Sequence, residues 1–290
     1  MEALTLAPSR SAVRVRGLRK SYGDVVALQD LDIDIASGSV VGLIGPNGAG
    51  KTTAALCIAG LLKPDAGEVS FARPLKPGRS PLAIATQEIA LYPGLSAATN
   101  LSYFGRLSGV TNVAQMLAEV AAELELEPLL DKLPKDLSIG QQRAVHVAAA
   151  LMATPNLLLL DEPTAGLDVV ARAAVLAAVT RRRSAGIAVL LSSHQMLDIE
   201  AVCDEVVMVN EGRVIAAGRV DDLVARHGGA RIEVTVDGKV HVVDGEDVPA
   251  AITQVTARGG RVESVEVIKP SLEAVFLSLT GIRGRSGERA

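Results

Sequence analysis

The sequence predicts an α/β fold: a parallel-sheet core, a flanking antiparallel β subdomain, an inserted helical lobe and a small C-terminal α+β unit. Three observations predict it. Strand-like runs alternate with helix-like ones through the middle of the chain: SVVGLIG before a helix from Lys51, NLLLLD before a helix after Asp168, and then IAVLLSS. That is the βαβα rhythm of a parallel sheet. Those strands are continuous apolar runs, as strands covered by helices on both faces require. The character of the chain also changes twice, to Ala- and Glu-rich helical spacing near Leu91 and to strict alternation after about Gly228.

Length and composition set the outer bounds. The 290 residues have room for one large domain and a small one. With 49% hydrophobic but only 2% aromatic residues, the core is built from Ala, Val, Leu and Ile. A net charge of -4 and a pI near 5.7 argue against nucleic acid as a partner. Apolar stretches such as Leu157 to Leu160 end at once in charge, far short of the roughly 20 residues that cross a bilayer, so no direct membrane span is expected. The opening MEALTLAPSR lacks a basic segment followed by an apolar one, so the expected location is the cytoplasm. Cys57 and Cys203 sit far apart in apolar segments, as buried small hydrophobes do. His146, His194, His227 and His241 are too scattered to show metal-ligand spacing.

Each element follows from its local pattern. VRVRGL and LDIDI alternate polar and apolar residues, as antiparallel strands with one wet face do. Pro74, Pro77 and Pro81 interrupt FARPLKPGRSPLAIATQ, and because proline cannot donate to a ladder, the flanking sheet is expected to be trimmed there. Helical periodicity as in VAQMLAEVAAELEL places a helical lobe over about residues 91–136. From 229 to 282, RIEVTVDGKVHVV reads as a hairpin turning at Asp237-Gly238, followed by a helix, the strand RVESVEV and the helix SLEAVFLSL. Residues 1 to 10 and the closing GRSGERA read as tails.

The chemistry lies in two motifs. GPNGAGKT, comprising Gly45, Pro46, Asn47, Gly48, Ala49, Gly50, Lys51 and Thr52, fits G-x-x-x-x-G-K-[ST] between an apolar strand and a helix, with Thr53 following. Its glycines let backbone N–H groups turn inward around phosphates, Lys51 reaches the outer phosphates, and Thr52 holds Mg2+. In NLLLLDEP, Asp161 and Glu162 end a buried strand, where charge is costly unless a cation or a reaction uses it. Asp161 suits Mg2+, and Glu162 suits the water that attacks the γ-phosphate. The core is therefore that of a P-loop NTPase.

LSIGQQRAVHVAAAL, from Leu137 to Leu151, narrows the reading. The order KSYGDVVAL, GPNGAGKTT, TQE, LSIGQ, LLLLDEPTAGLD and SSH resembles the ABC ATPase domain over about residues 12–225. The resemblance implies ATP with Mg2+, and a homodimer or paired ATPase subunit in which Ser138 and Gly140 contact the nucleotide held by the other chain. It implies that Tyr22 stacks on adenine, that Gln87 senses Mg2+ and the γ-phosphate, that His194 is the switch histidine, and that Asp168 links the two sites. Taken alone, Asp168 would be a helix cap and Gln87 a solvated loop residue. Two departures stand out: Ile139 replaces a small residue of the signature, and the expected Gln-Arg pair appears as Arg143-Ala144.

The tail PSLEAVFLSLTG is similar to the C-terminal extension of ABC-2 type exporter ATPases. That resemblance implies export through an integral membrane permease docked on the helical lobe, with the chain peripheral on the inner face of the membrane. The competing reading is a soluble ABC ATPase acting on ribosomes or DNA. Such proteins usually carry two cassettes or a long coiled-coil insertion, and this chain has one cassette and no heptad insertion. A phosphate-loop kinase leaves LSIGQ and SSH unexplained.

Overall fold

The computed structural model describes residues 11–72, 81–227, 231–245, 247–257, 259–268 and 270–280. It divides into two compact units between Val214 and Ile215.

In the first unit, β1 (Ser11–Tyr22) and β2 (Val25–Ala36) form a long antiparallel hairpin. Alternating burial along β2 explains the alternation in LDIDI, with Leu31, Ile33 and Ile35 inward. The strand β3 (Val40–Ile44) runs through the phosphate loop into α1 (Lys51–Ile58), and β4 (Ala66–Phe71) returns to pair antiparallel with β1. Among the described residues the small sheet has the order β2-β1-β4, and β4 ends at Phe71. Pro74 and Pro77 lie outside the described residues. Pro81 comes just before β5 (Leu82–Ala85), and its carbonyl accepts from the backbone N–H groups of Asn156 and Leu157 at 2.8 and 3.0 Å. A missing N–H costs nothing there.

The helices α2 (Ala97–Leu107) and α3 (Val113–Glu123) fill the expected lobe, and α4 (Ile139–Leu151) leads from it to β6 (Leu157–Asp161). Then follow α5 (Val169–Ser184), β7 (Ala188–Ser193), α6 (Met196–Val202), β8 (Glu205–Asn210) and β9 (Arg213–Arg219), within which the division between the units falls. The core sheet has the order β5-β6-β7-β3-β8-β9, and its pairs from β5 to β8 are parallel. Every residue of β3, β6 and β7 is buried, which is why these strands read as unbroken apolar runs. Each leucine of β6 contributes on the order of 2 kcal/mol by leaving water. This sheet puts the C-terminal ends of β3, β6 and β7 side by side, with Asp161 in register with Ser192.

In the second unit, α7 (Val220–His227) packs with α9 (Leu272–Thr280), and α8 (Val248–Thr256) packs on a separate antiparallel sheet. That sheet has the order β11 (Lys239–Asp244), β10 (Arg231–Val236), β12 (Val262–Ile268). Asp237 and Gly238 both have positive φ, 49° and 74°, the conformation that a two-residue hairpin turn needs. Its core is small: Ile232, Val234, Val236 and Ala251, with flanking valines. Among the described residues, no helix is long and apolar enough to cross a membrane.

Candidate nucleotide-binding site

The phosphate loop is shaped by its glycines. A Cβ on Gly45 would lie 2.1 Å from the carbonyl oxygen of Val209, and one on Gly50, at φ 102°, would lie 2.3 Å from that of Ala27. Only glycine fits either place. Ala49 N–H donates to Pro46 O at 3.2 Å, and Gly212 N–H donates to Ala49 O at 3.1 Å, so β8 and its following turn brace the loop. The N-terminus of α1 opens on a cleft of about 250 Å³ lined by Pro46 to Thr53 with Ala27, Gln87 and Glu162. The free N–H groups of a helix start, with their partial positive charge, make such a cleft an anion site.

Within it, the side chains are already engaged. Lys51 is buried, and its Nζ donates to Gly45 O at 2.8 Å and Pro46 O at 3.2 Å while lying 3.6 Å from Glu162 Oε1. Glu162 Oε2 is 2.7 Å from His194 Nδ1. Glu162 is itself buried, with a backbone φ of 52° that a non-glycine residue holds at a cost of about 1–3 kcal/mol. Its N–H is fixed by the Ser192 carbonyl at 3.1 Å and hydroxyl at 3.2 Å. The same Ser192 hydroxyl donates to Asp161. Thr52 Oγ1 donates to Gln87 Oε1 at 3.1 Å. The structure thus gathers Lys51, Thr52, Gln87, Glu162 and His194 at one place, with Asp161 held beside Glu162.

Ser138, Gly140 and Asp168 lie elsewhere. Ser138 caps α4: its hydroxyl accepts from Gln141 N–H at 3.2 Å, and Gln141 Oε1 accepts from Ser138 N–H at 3.1 Å. Asp168 caps α5 through Ala171 N–H at 2.9 Å. A Cβ on Gly140 would sit 2.7 Å from Gly166 O, so the two segments touch through backbone. Together they line a second groove of about 500 Å³, walled on the other side by Leu124, Leu126 and Leu129, and share no lining residue with the phosphate-loop cleft. Beside it Ile139 is 73% and Val169 84% exposed. Tyr22 ends β1 opposite Val25 and is half exposed. It is not among the residues that line the cleft, which β2 borders at Ala27.

The roles of two residues escape a reading of the sequence. Asp198 on α6 is buried and accepts from Thr164 Oγ1 at 2.6 Å and Arg172 Nε at 2.5 Å, tying the segment after Glu162 to the helix after His194. Nothing in MLDIEAV sets it apart. Arg143 is also buried, and its Nη1 donates to the carbonyls of Thr86 and Gln87. Burial pulls the Arg143 pKa down, while the carboxylates of Asp161 and Glu162 pull it up. His146, on the same helix, is pushed down to about 4, first by burial and then by the charge of Arg143.

A family model described as ABC transporter matches residues 28–165. The linearmycin resistance ATP-binding protein LnrL of Bacillus subtilis is 32% identical, in an alignment covering 93% of this chain and 98% of that protein. The chain belongs to the ABC transporter family. This ABC cassette is also similar to the Nod factor export ATP-binding protein I of Cupriavidus metallidurans, at 36% identity over 73% of the chain and 72% of that protein. A solved structure of the ATP binding subunit of an ABC transporter aligns with a TM-score of 0.68 and 31% identity, covering 75% of this chain and 94% of the other. The cassette is therefore an ATP-binding and ATP-hydrolysing subunit of such a transporter.

Proposed function

We propose that this ABC ATPase is the motor of an exporter, closing as a dimer around two ATP molecules beneath a separate membrane-spanning permease. The observation that carries the reading is the separation of two half-sites: a phosphate-loop cleft, and a groove with exposed Ser138 and Asp168 and part-exposed Gly140 that shares no lining residue with it. Two-fold pairing of copies joins one half-site to the other twice. The N-terminus of α4 then meets the γ-phosphate held by the partner copy, for the same dipolar reason that α1 meets phosphates in its own.

Each residue has a part. Lys51 exchanges the Gly45 and Pro46 carbonyls for phosphate oxygens. Glu162, anchored by His194 and Ser192, orients the attacking water and takes its proton. His194 has its second ring nitrogen left to face the γ-phosphate, and Asp168 bridges the two sites. Tyr22 stacks on adenine at the edge of the cleft. The hydroxyl of Thr52, the amide oxygen of Gln87 and the carboxylate of Asp161 make an all-oxygen set of the kind Mg2+ takes, and would hold it. Bound there, Mg2+ neutralises charge on the phosphates.

Residues 12–225 serve as the motor and 229–282 as an accessory unit, with the helical lobe as the permease dock. The direction is export, as the names of the resistance and Nod factor relatives suggest. The place is the cytoplasmic face of the membrane.

ATP-dependent dimerisation tests the reading. In Glu162→Gln protein with ATP, light scattering after size exclusion is expected to show a dimer, while Glu162→Gln/Ser138→Arg stays monomeric yet still binds a fluorescent ATP analogue. ATP turnover by Glu162→Gln is expected to fall by about 100-fold or more. A dimer that survives Ser138→Arg would remove the signature end of α4 from the shared site.

A further inference from the structure

We propose that Arg143 is a positioning residue for ATP hydrolysis: carried on the signature helix, its guanidinium fixes the backbone of the Gln87 loop and so sets the Gln87 side chain against Thr52. The proposal rests on the reading of Gln87 given above. Gln87 is held from two sides. Its carbonyl accepts from Arg143 Nη1 at 2.6 Å, with the preceding carbonyl of Thr86 at 3.2 Å from the same nitrogen. Its side-chain oxygen accepts from Thr52 Oγ1 at 3.1 Å. One residue therefore joins α4 to the first turn of α1, across segments that are far apart in sequence.

The chemistry of Arg143 argues against mere space-filling. The side chain is 9% exposed, and its Nε has no hydrogen-bond partner among the described residues. A buried guanidinium with an orphan donor costs stability, which a leucine or methionine at the same place would avoid. What the charge provides is a strong donor to two successive carbonyls, placed within the field of Asp161 and Glu162. His146, further along the same helix face, also has an unpartnered nitrogen, Nδ1, and is neutral at pH 7, so it adds no competing charge. Because Ser138 and Gly140 stand at the start of α4, within about a turn and a half of Arg143, a shift of this helix on nucleotide closure reaches Gln87 through Arg143. The altered Arg143-Ala144 pair after the signature is thereby given a task.

The test is a double-mutant cycle on the full chain, using Arg143→Met, Arg143→Lys, Gln87→Ala and Gln87→Ala/Arg143→Met. Three quantities are read: kcat for ATP, affinity for a fluorescent ATP analogue without Mg2+, and melting temperature. Arg143→Met is expected to lower kcat by roughly 10- to 100-fold with analogue affinity within about threefold of wild type, and Arg143→Lys to recover part of the loss. In the Gln87→Ala background, Arg143→Met is expected to change kcat by less than about twofold. Full additivity of the two losses overturns the proposal, as does a kcat for Arg143→Met equal to wild type. Should Arg143→Met fail to fold, Arg143→Lys carries the same cycle. If Gln87→Ala alone leaves kcat untouched, the role of Gln87 itself falls, and any loss from Arg143→Met then refutes a relay through that residue.

Discussion

The phosphate-loop cleft and the signature groove are built on opposite plans. In the cleft, the buried charged groups Lys51, Asp161 and Glu162 are all engaged: Lys51 with loop carbonyls and Glu162, Glu162 with the half-exposed His194, Asp161 with Ser192. In the groove, Ser138 and Asp168 bond only to the starts of their own helices, and apolar Ile139 and Val169 face outward beside them. The lining of the cleft comes from one chain, with its polar groups already engaged. The groove is satisfied but uncovered, as a surface awaiting a second body is. The contrast explains why ATP binding is expected to survive changes at the groove, while hydrolysis is not.

The sharpest break of this contrast comes at Gly50. Gly50→Ala drives a methyl into Ala27 O at a positive φ, so affinity for the ATP analogue is expected to fall by about 100-fold, roughly 3 kcal/mol, with helix content preserved by circular dichroism. Affinity within threefold of wild type would show that the cradle tolerates reshaping. A middling effect is expected from His146, whose folded pKa of about 4 lies below its usual 6.5. The unfolded chain then binds the extra proton between these values, so this residue's contribution to stability is full above pH 6.5 and is lost as pH falls toward 4. By pH 5 the loss is about 2 kcal/mol, and His146→Leu is expected to flatten the change in denaturant midpoint between pH 7 and pH 5. An unchanged slope would show that His146 does not carry the acid sensitivity. The smallest effect is at the groove: Ile139→Ala should leave monomer stability within about 0.5 kcal/mol, any change appearing only in the ATP-bound dimer. A large drop in monomer melting temperature would mean that Ile139 already packs within its own chain.

What could be read in the sequence follows the same divide between local and distant. The phosphate loop is contiguous, and its glycines declare a backbone that other residues cannot adopt, so the cleft was legible. The apolar runs of β3, β6 and β7 gave the parallel sheet, and Asp237-Gly238 gave the hairpin. The strand order was not legible, because sheet neighbours are set by packing and not by spacing along the chain. It is this order that brings His194 to Glu162 and Ser192 to Asp161. Gln87 had no distinguishing neighbours in its loop; its place beside Thr52 follows from β5 lying next to β6 and from Arg143 reaching it. Asp198 and Arg172 meet across an interval in which no pattern repeats, so their pairing is a tertiary fact alone.

Lys51 gives a final consequence. Its ammonium is dry before any ligand arrives, held by two carbonyls and a carboxylate. Stripping water from a cation is the expensive part of recruiting it, and here folding has already met that cost. An incoming phosphate is therefore expected to take part in an ion exchange, replacing one set of oxygens around a fixed cation with another. In the proposed mechanism the same exchange loosens Glu162 from Lys51, so the arrival of the anion and the freeing of the base are one event.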